Sequence, residues 1–401
     1  MQLSRRARWM VPAAAVAVTG AAIAASVVPS AAAAPVLPAK TPAQLLADVA
    51  ATHKVPPLTG TVVETTSLGL PQLPRAGNQT SLSSLLTGSH TMKVYWQDNK
   101  HFRLALPQSL SETDVIRNGS TAWLWDSNDN TVTKFAVPAD NSKNKGTAER
   151  AGAKAKAAGM PQLSAPLTPQ QAANELLQEV GKTTTVGVQS NVDVADQAAY
   201  QLLLAPKDAR STIGSVRIAI DGKTGVPLRL QVFAKGGTAP AFQVGYTSIS
   251  YTAPSSANFN FTPPAGAKVT TPGAKDAQGT SPSASDMAGA GTYGSGWLAV
   301  AELPSSAVLP GSSGTGTPAS RAPSSSSANG NPLSGNSQEV ISAILGSAKS
   351  VSGSWGSGQL LHTSLLNVLI TGGKIYAGAV DPSVLYAAVG HPVVGSTAAA
   401  G

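Results

Sequence analysis

Between residues 60 and 251 apolar side chains recur at every second position, in short runs separated by turn residues. Val216, Ile218 and Ile220 alternate with Arg217, and Leu228, Leu230 and Val232 alternate with Arg229 and Gln231. A period of two places one set of side chains on one face of a strand and the rest on the other. The same rhythm, with β-branched and aromatic residues, predicts strands at 60–67, 91–97, 100–106, 113–117, 121–126, 131–137, 184–190, 198–205, 215–221, 227–234 and 241–251. Asp98-Asn99, Asn118-Gly119, the run 126–130 and the run 221–225 are turn signals between neighbours. Strands joined so tightly must be antiparallel neighbours.

Ten or eleven strands is about where a twisted sheet has to curl. The expected fold class is therefore mainly β (α+β), a curled antiparallel sheet or incomplete β-barrel with one apolar face. Two short amphipathic helices are available to cover that face. In 41–54, Thr41, Pro42 and Gln44 form a capping box ahead of Leu45, Leu46 and Val49. In 168–180, Thr168, Pro169 and Gln171 repeat the device ahead of Leu176, Leu177 and Val180. Whether the curl encloses a packed core or a cavity decides what the domain can do. Trp123 and Trp125 sharpen that question. They alternate with Ala122 and Leu124, so both indoles share a face, and they either fill a core or line a cavity.

Charged residues make up 12% of the chain, about half of what soluble proteins carry, and the shortfall concentrates in linkers. The expected domain spans 35–270 and is followed by a linker over 271–293. A small α+β domain over 294–391 is interrupted by a Ser/Gly/Pro-rich insert at 304–336 that reads as disordered. Its elements are a strand at 294–303, a helix at 337–349, strands on either side of Gly372-Gly373, and a closing helix at 381–389 capped by Asp381.

Residues 1–34 read as a cleaved export signal: Arg5, Arg6 and Arg8, then an Ala/Val-rich run, then small residues for a cut near Ala33. General secretion is the expected route, although the adjacent arginines also fit twin-arginine export. Removing the signal takes away three arginines and no acids, lowering the formal charge from +8 to +5. That mild bias, without an aromatic-interleaved basic stripe, predicts no nucleic-acid partner. Lys143, Lys145, Arg150, Lys154 and Lys156, opposed by Glu149, form the one basic cluster, either a solvated loop or a contact for a membrane surface.

The chain has no cysteine, which removes disulfides, thiolate metal sites and a cysteine nucleophile. His53, His90, His101, His362 and His391 are scattered without metal-ligand spacing. Around Ser295 and Ser357, Tyr293 and Trp355 replace the first glycine of a nucleophile elbow. The run 371–374 is too short for a phosphate loop, and Glu112, Asp114 and Asp126 sit near hairpin turns as ordinary edge acids. No catalytic, metal or cofactor site is expected, and the chain reads as a non-enzyme.

The order from "KHFRLAL" through "ETDVIRNGSTAWLWDSNDNTV" resembles the LolA-like family of periplasmic lipoprotein carriers, as does the ending "FNFTPPAGAKV" at 259–269. The likeness covers about residues 40 to 269. It implies an incomplete antiparallel barrel whose helices form a lid over a hydrophobic cavity for acyl chains. On that footing the lipid-binding residues would be Phe102, Leu104, Trp123, Trp125, Leu202, Leu204, Ile218, Leu228, Leu230 and Val232. The C-terminal unit, above all "KIYAGAVDPSVLYAAV", resembles the small domain of the RseB/MucB regulators, and the insert departs from it. The function so implied is an exported, extracytoplasmic carrier of lipid or lipoprotein acyl chains. The alternatives are a regulator that binds an anti-sigma factor and a structural envelope protein with a filled barrel.

Overall fold

The computed structural model describes residues 35–51, 55–69, 88–108, 110–137, 181–271, 290–305 and 346–391. The export signal, the basic cluster, the helix expected at 168–180, most of the helix at 337–349 and nearly all of the 304–336 insert lie outside them. Among the described residues no helix is long and apolar enough to cross a membrane.

The first helix, α1, spans Pro42–Ala51. Its capping box closes reciprocally: the Thr41 amide donates to Gln44 Oε1 at 2.8 Å and the Gln44 amide donates to Thr41 Oγ1 at 3.2 Å. Leu45 and Ala47 are buried.

Six strands follow: β1 (Leu58–Thr66), β2 (Gly88–Asp98), β3 (His101–Pro107), β4 (Glu112–Asn118), β5 (Thr121–Asp126) and β6 (Thr131–Ala136). A second run holds β7 (Thr184–Val194), β8 (Gln197–Pro206), β9 (Ile213–Asp221), β10 (Pro227–Ala234) and β11 (Pro240–Ser250). With β12 (Lys268–Thr270) they form one twelve-stranded sheet in the order β12-β6-β5-β4-β3-β2-β1-β11-β10-β9-β8-β7. Each run is an antiparallel meander. The two runs meet where β1 pairs with β11, a contact nearly two hundred residues apart in sequence.

The sheet does not close into a barrel, because β12 and β7 end it without pairing to each other. It curls nonetheless: Val192 and Val194 of β7 pack in one cluster with Tyr246 and Ile249 of β11. Register shifts at Thr61/Val62 and Pro227/Arg229 add local twist there. Gly60 permits a close approach in the same region, since the Tyr246 ring lies where a Cβ would stand, 2.7 Å away. One pair departs from the antiparallel expectation: β12 runs parallel to β6. No short turn joins these two. After β11 the chain crosses back over the sheet through Phe259 and Phe261 before adding at the far edge.

The second sheet has six strands, β13 (Gly291–Tyr293), β14 (Val300–Pro304), β15 (Lys349–Gly353), β16 (Gly356–His362), β17 (Asn367–Thr371) and β18 (Lys374–Gly378), in the order β13-β14-β18-β17-β16-β15. Helix α2 (Pro382–Ala388) buries Val384, Leu385 and Ala388 against Val300, Leu369 and Tyr376. Three details differ from the sequence reading. The strand expected at 294–303 is broken by a 3-10 turn at Gly296–Leu298. The apolar run 358–370 is two strands, because the Thr363 hydroxyl accepts from the Leu366 amide and donates to its carbonyl, closing a turn. Asp381 occupies the N-cap of α2 without a side-chain cap bond.

The join between the sheets is polar. The turn between β8 and β9 buries Ser211 and Thr212. The Thr212 amide donates to Ala379 O at 3.0 Å, the Thr212 hydroxyl to Leu365 O at 2.5 Å, and the Asp381 amide to Arg210 O at 2.7 Å. Trp297 Nε1 donates to Thr184 Oγ1 at 2.6 Å. Water can replace such partners more readily than it can cover a bared apolar interface. A fragment spanning 35–271 is therefore expected to stay soluble with a cooperative unfolding transition, checked by thermal denaturation followed by circular dichroism. An insoluble fragment would make the second sheet an obligate part of the first.

Candidate functional site

Paired residues in a ladder point to the same face, so the register assigns every side chain of the large sheet to a side. One row runs Val188, Leu202, Ile218, Leu230, Val244, Glu64, His90 across β7, β8, β9, β10, β11, β1 and β2. A second row runs Val186, Leu204, Val216, Val232, Phe242, Thr66. Along β1 the alternation Glu64, Val62, Gly60, Leu58 carries the same face into the other half. There Gly60 leads to Val94, Leu104, Val115 and Leu124, and Leu58 leads to Trp96, Phe102, Arg117 and Ala122. This is the first face. It is apolar over most of its breadth, and Leu104, Phe102, Val94, Leu204, Ile218, Leu230, Val232, Val244 and Phe242 are half-buried, not sealed in a core.

The N-terminal segment lies on the β7–β8 end of this same face. Tyr200, two residues before Leu202 on β8, donates its hydroxyl to Pro38 O at 2.8 Å, and Lys40 Nζ sits 4.9 Å from the centre of the Tyr200 ring. At this end Leu202 is only 2% exposed. The segment ahead of α1 thus covers one end of the face, and half-buried apolar rows continue beyond it.

The ten residues expected to bind lipid are not all brought together. Phe102, Leu104, Leu202, Leu204, Ile218, Leu230 and Val232 share the first face. Leu228 sits at the β10 register shift and is 1% exposed, packed with Val194, Ala199, Ala219 and Val226. Trp123 and Trp125 lie on the second face, because they pair with Ile116 and Asp114, whose partners on β3 are Arg103 and Ala105. What they face is the returning chain: the Phe261 ring is 6.1 Å from Trp123 and 6.0 Å from Trp125, centre to centre. Trp96, not among the ten expected residues, stacks on Phe102 at 5.8 Å on the first face. Its two-residue spacing from Val94 and Met92, with Lys93 and Tyr95 between, is the signal that places it on one face with them.

The second face also holds a charge cluster. The Arg103 guanidinium donates to Glu112 at 2.9 Å and to Asp114 at 2.5 Å, beside Trp125. Asp114 is 0% exposed. Its burial, together with the Glu112 carboxylate, pushes its pKa up to about 7 against the pull of Arg103. One guanidinium shared by two carboxylates does not neutralise both, so the upward direction holds.

Among the described residues no three His, Cys, Asp or Glu side chains stand close enough to hold a metal ion. His101 pairs with Asp98 at 2.9 Å and His362 with Asn367 at 2.6 Å, as edge and turn histidines do.

Several solved structures are similar to this chain. A MucB–MucA(peri) complex shares 15% identity over 55% of this chain and 60% of that one, at a TM-score of 0.32. The Pseudomonas aeruginosa MucA/MucB complex shares 11% over 86% and 95%, at 0.37. A LolA superfamily protein from Nitrosomonas europaea shares 11% over 56% and 99%, at 0.21. No family model and no curated protein matches the chain.

Proposed function

We propose that the protein binds acyl chains on the first face of its large sheet and carries them outside the cytoplasm without catalysis. The observation that supports this is the pair of apolar rows through Leu230 and Val232, half-buried although they lie mid-sheet. A filled sheet core would bury such side chains fully. An acyl chain laid along the rows would remove their remaining surface from water at ~25 cal/mol per Å2, and α1 with its preceding segment would cover one end. The extracytoplasmic setting is part of the proposal and rests on the arginine-led, Ala-rich start of the chain.

Detergent-free protein is expected to bind a fluorescent fatty-acyl probe saturably. Leu230→Ala should weaken that binding about tenfold, the worth of two to three lost methylene contacts at ~0.8 kcal/mol each after partial relaxation. Leu203→Ala, on the other face of β8, should leave the affinity unchanged. Equal affinities for all three proteins, or no saturable binding, would defeat the proposal.

A further inference from the structure

Glu64 interrupts the apolar rows. It stands on β1 between Val244 and His90, in register with Leu230, Ile218 and Leu202. Four strand steps separate it from Leu202, about 19 Å along the sheet at ~4.8 Å per step. Only 5% of the residue is exposed. One carboxylate oxygen, Oε1, accepts from the Thr66 hydroxyl two residues along the same strand. The other, Oε2, is closed off from solvent and has no hydrogen-bond partner. Thr66 and Glu64 are adjacent on one face, so the sheet itself fixes the carboxylate's place and supplies one donor.

A buried carboxylate oxygen without a donor is costly, and nothing in the packing of an apolar sheet requires a glutamate there. We infer that Glu64 is the headgroup subsite of the acyl groove: it takes a lipid whose polar end offers a neutral N–H or O–H, such as an acyl amide or a glycerol monoester. This rests on the acyl-binding reading of the first face and adds to it the chemistry at one end of the chain. Oε2 can only accept from such a head. A free fatty acid would instead bring its own carboxylate against Glu64, lone pairs facing lone pairs in a site shielded from water, and should be rejected. The same donor chemistry occurs in an N-acylated protein terminus and in a free glycerolipid, and these differ in the bulk that follows the head.

Competition against the fluorescent acyl probe tests the inference with three ligands of one chain length: lauramide, monolaurin and laurate, at pH 8. Wild-type protein should bind the amide and the glycerol ester about tenfold or more tighter than laurate, the discrimination expected of a charge-assisted hydrogen bond replaced by repulsion. Glu64→Gln keeps the volume and can donate as well as accept, so it should admit laurate and bring the ratio toward one. Glu64→Leu should do the same by weakening the amide and the ester. An N-lauroyl peptide that competes as well as lauramide assigns the site to acylated protein termini, and one that does not assigns it to free glycerolipids. A ratio unchanged in both variants overturns the role of Glu64 while leaving acyl binding intact. If none of the three ligands binds wild-type protein, the acyl-groove reading falls, and this inference with it.

Discussion

Trp125→Ala is expected to destabilise the large domain by about 3 kcal/mol and to leave acyl affinity unchanged in the folded protein. The indole sits between Asp114 and Val132 in the ladder, and Val132 is fully buried. The Phe261 ring closes over it and over Trp123 from the strand-return segment. Truncation removes dispersion contacts on three sides, and the half-exposed edge of the ring keeps the loss toward the lower end of the range for a packed tryptophan. Phe261→Ala should cost a similar amount. The double variant should lose less than the sum, since each ring is the other's partner, with a coupling of about 1 kcal/mol. Urea unfolding of the three variants measures this. Quenching of indole emission by an acyl ligand in a Trp96→Phe variant of the 35–271 fragment, whose remaining tryptophans are Trp123 and Trp125, would instead place the ligand on the second face.

The second large effect is a pH dependence. Asp114 has a folded-state pKa raised to about 7 from an ordinary value of 3.8, through burial first and then the neighbouring Glu112. A carboxyl raised on folding contributes stability that is fully present below the unfolded value and is lost as pH rises through the folded one. Wild-type stability should therefore fall between about pH 4 and pH 7 through this group. Asp114→Asn should escape the fall, because an amide keeps a hydrogen-bonding oxygen for Arg103 without a charge to desolvate. The gain over wild type should grow across that window to about 2–4 kcal/mol at pH 8, and Arg103 would keep Glu112 as its ionic partner. Urea unfolding at pH 4, 6 and 8 reads the difference. Parallel curves for the two proteins would mean that Arg103 holds Asp114 ionised throughout.

Local chemistry wrote much of this fold into the sequence. The bounds of β5 and β10 follow from alternation alone, 121–126 and 227–234. The Thr41–Gln44 box is legible because its partners are three residues apart. The shared face of Trp123 and Trp125 is a matter of parity within one strand, and so was readable too. Which face that is, and what covers it, depended on pairings that no single segment encodes.

The tertiary structure decided four matters, each through contacts distant in sequence. It joined the two meanders at β1 and β11. It set the parity of one half against the other, placing Phe102 and Leu104 with Leu230 and Trp123 with Arg103. It brought Phe261 back across the indoles and ended the crossing in a parallel strand. It also set Glu64, unremarkable among the threonines of β1, in the middle of an apolar face. The physical reason is common to all four. Alternation tells which residues of a strand point the same way, but a sheet face has no sign until strands pair. That pairing is chosen by burial summed over the whole sheet against the entropy of closing long loops, a balance no local pattern contains.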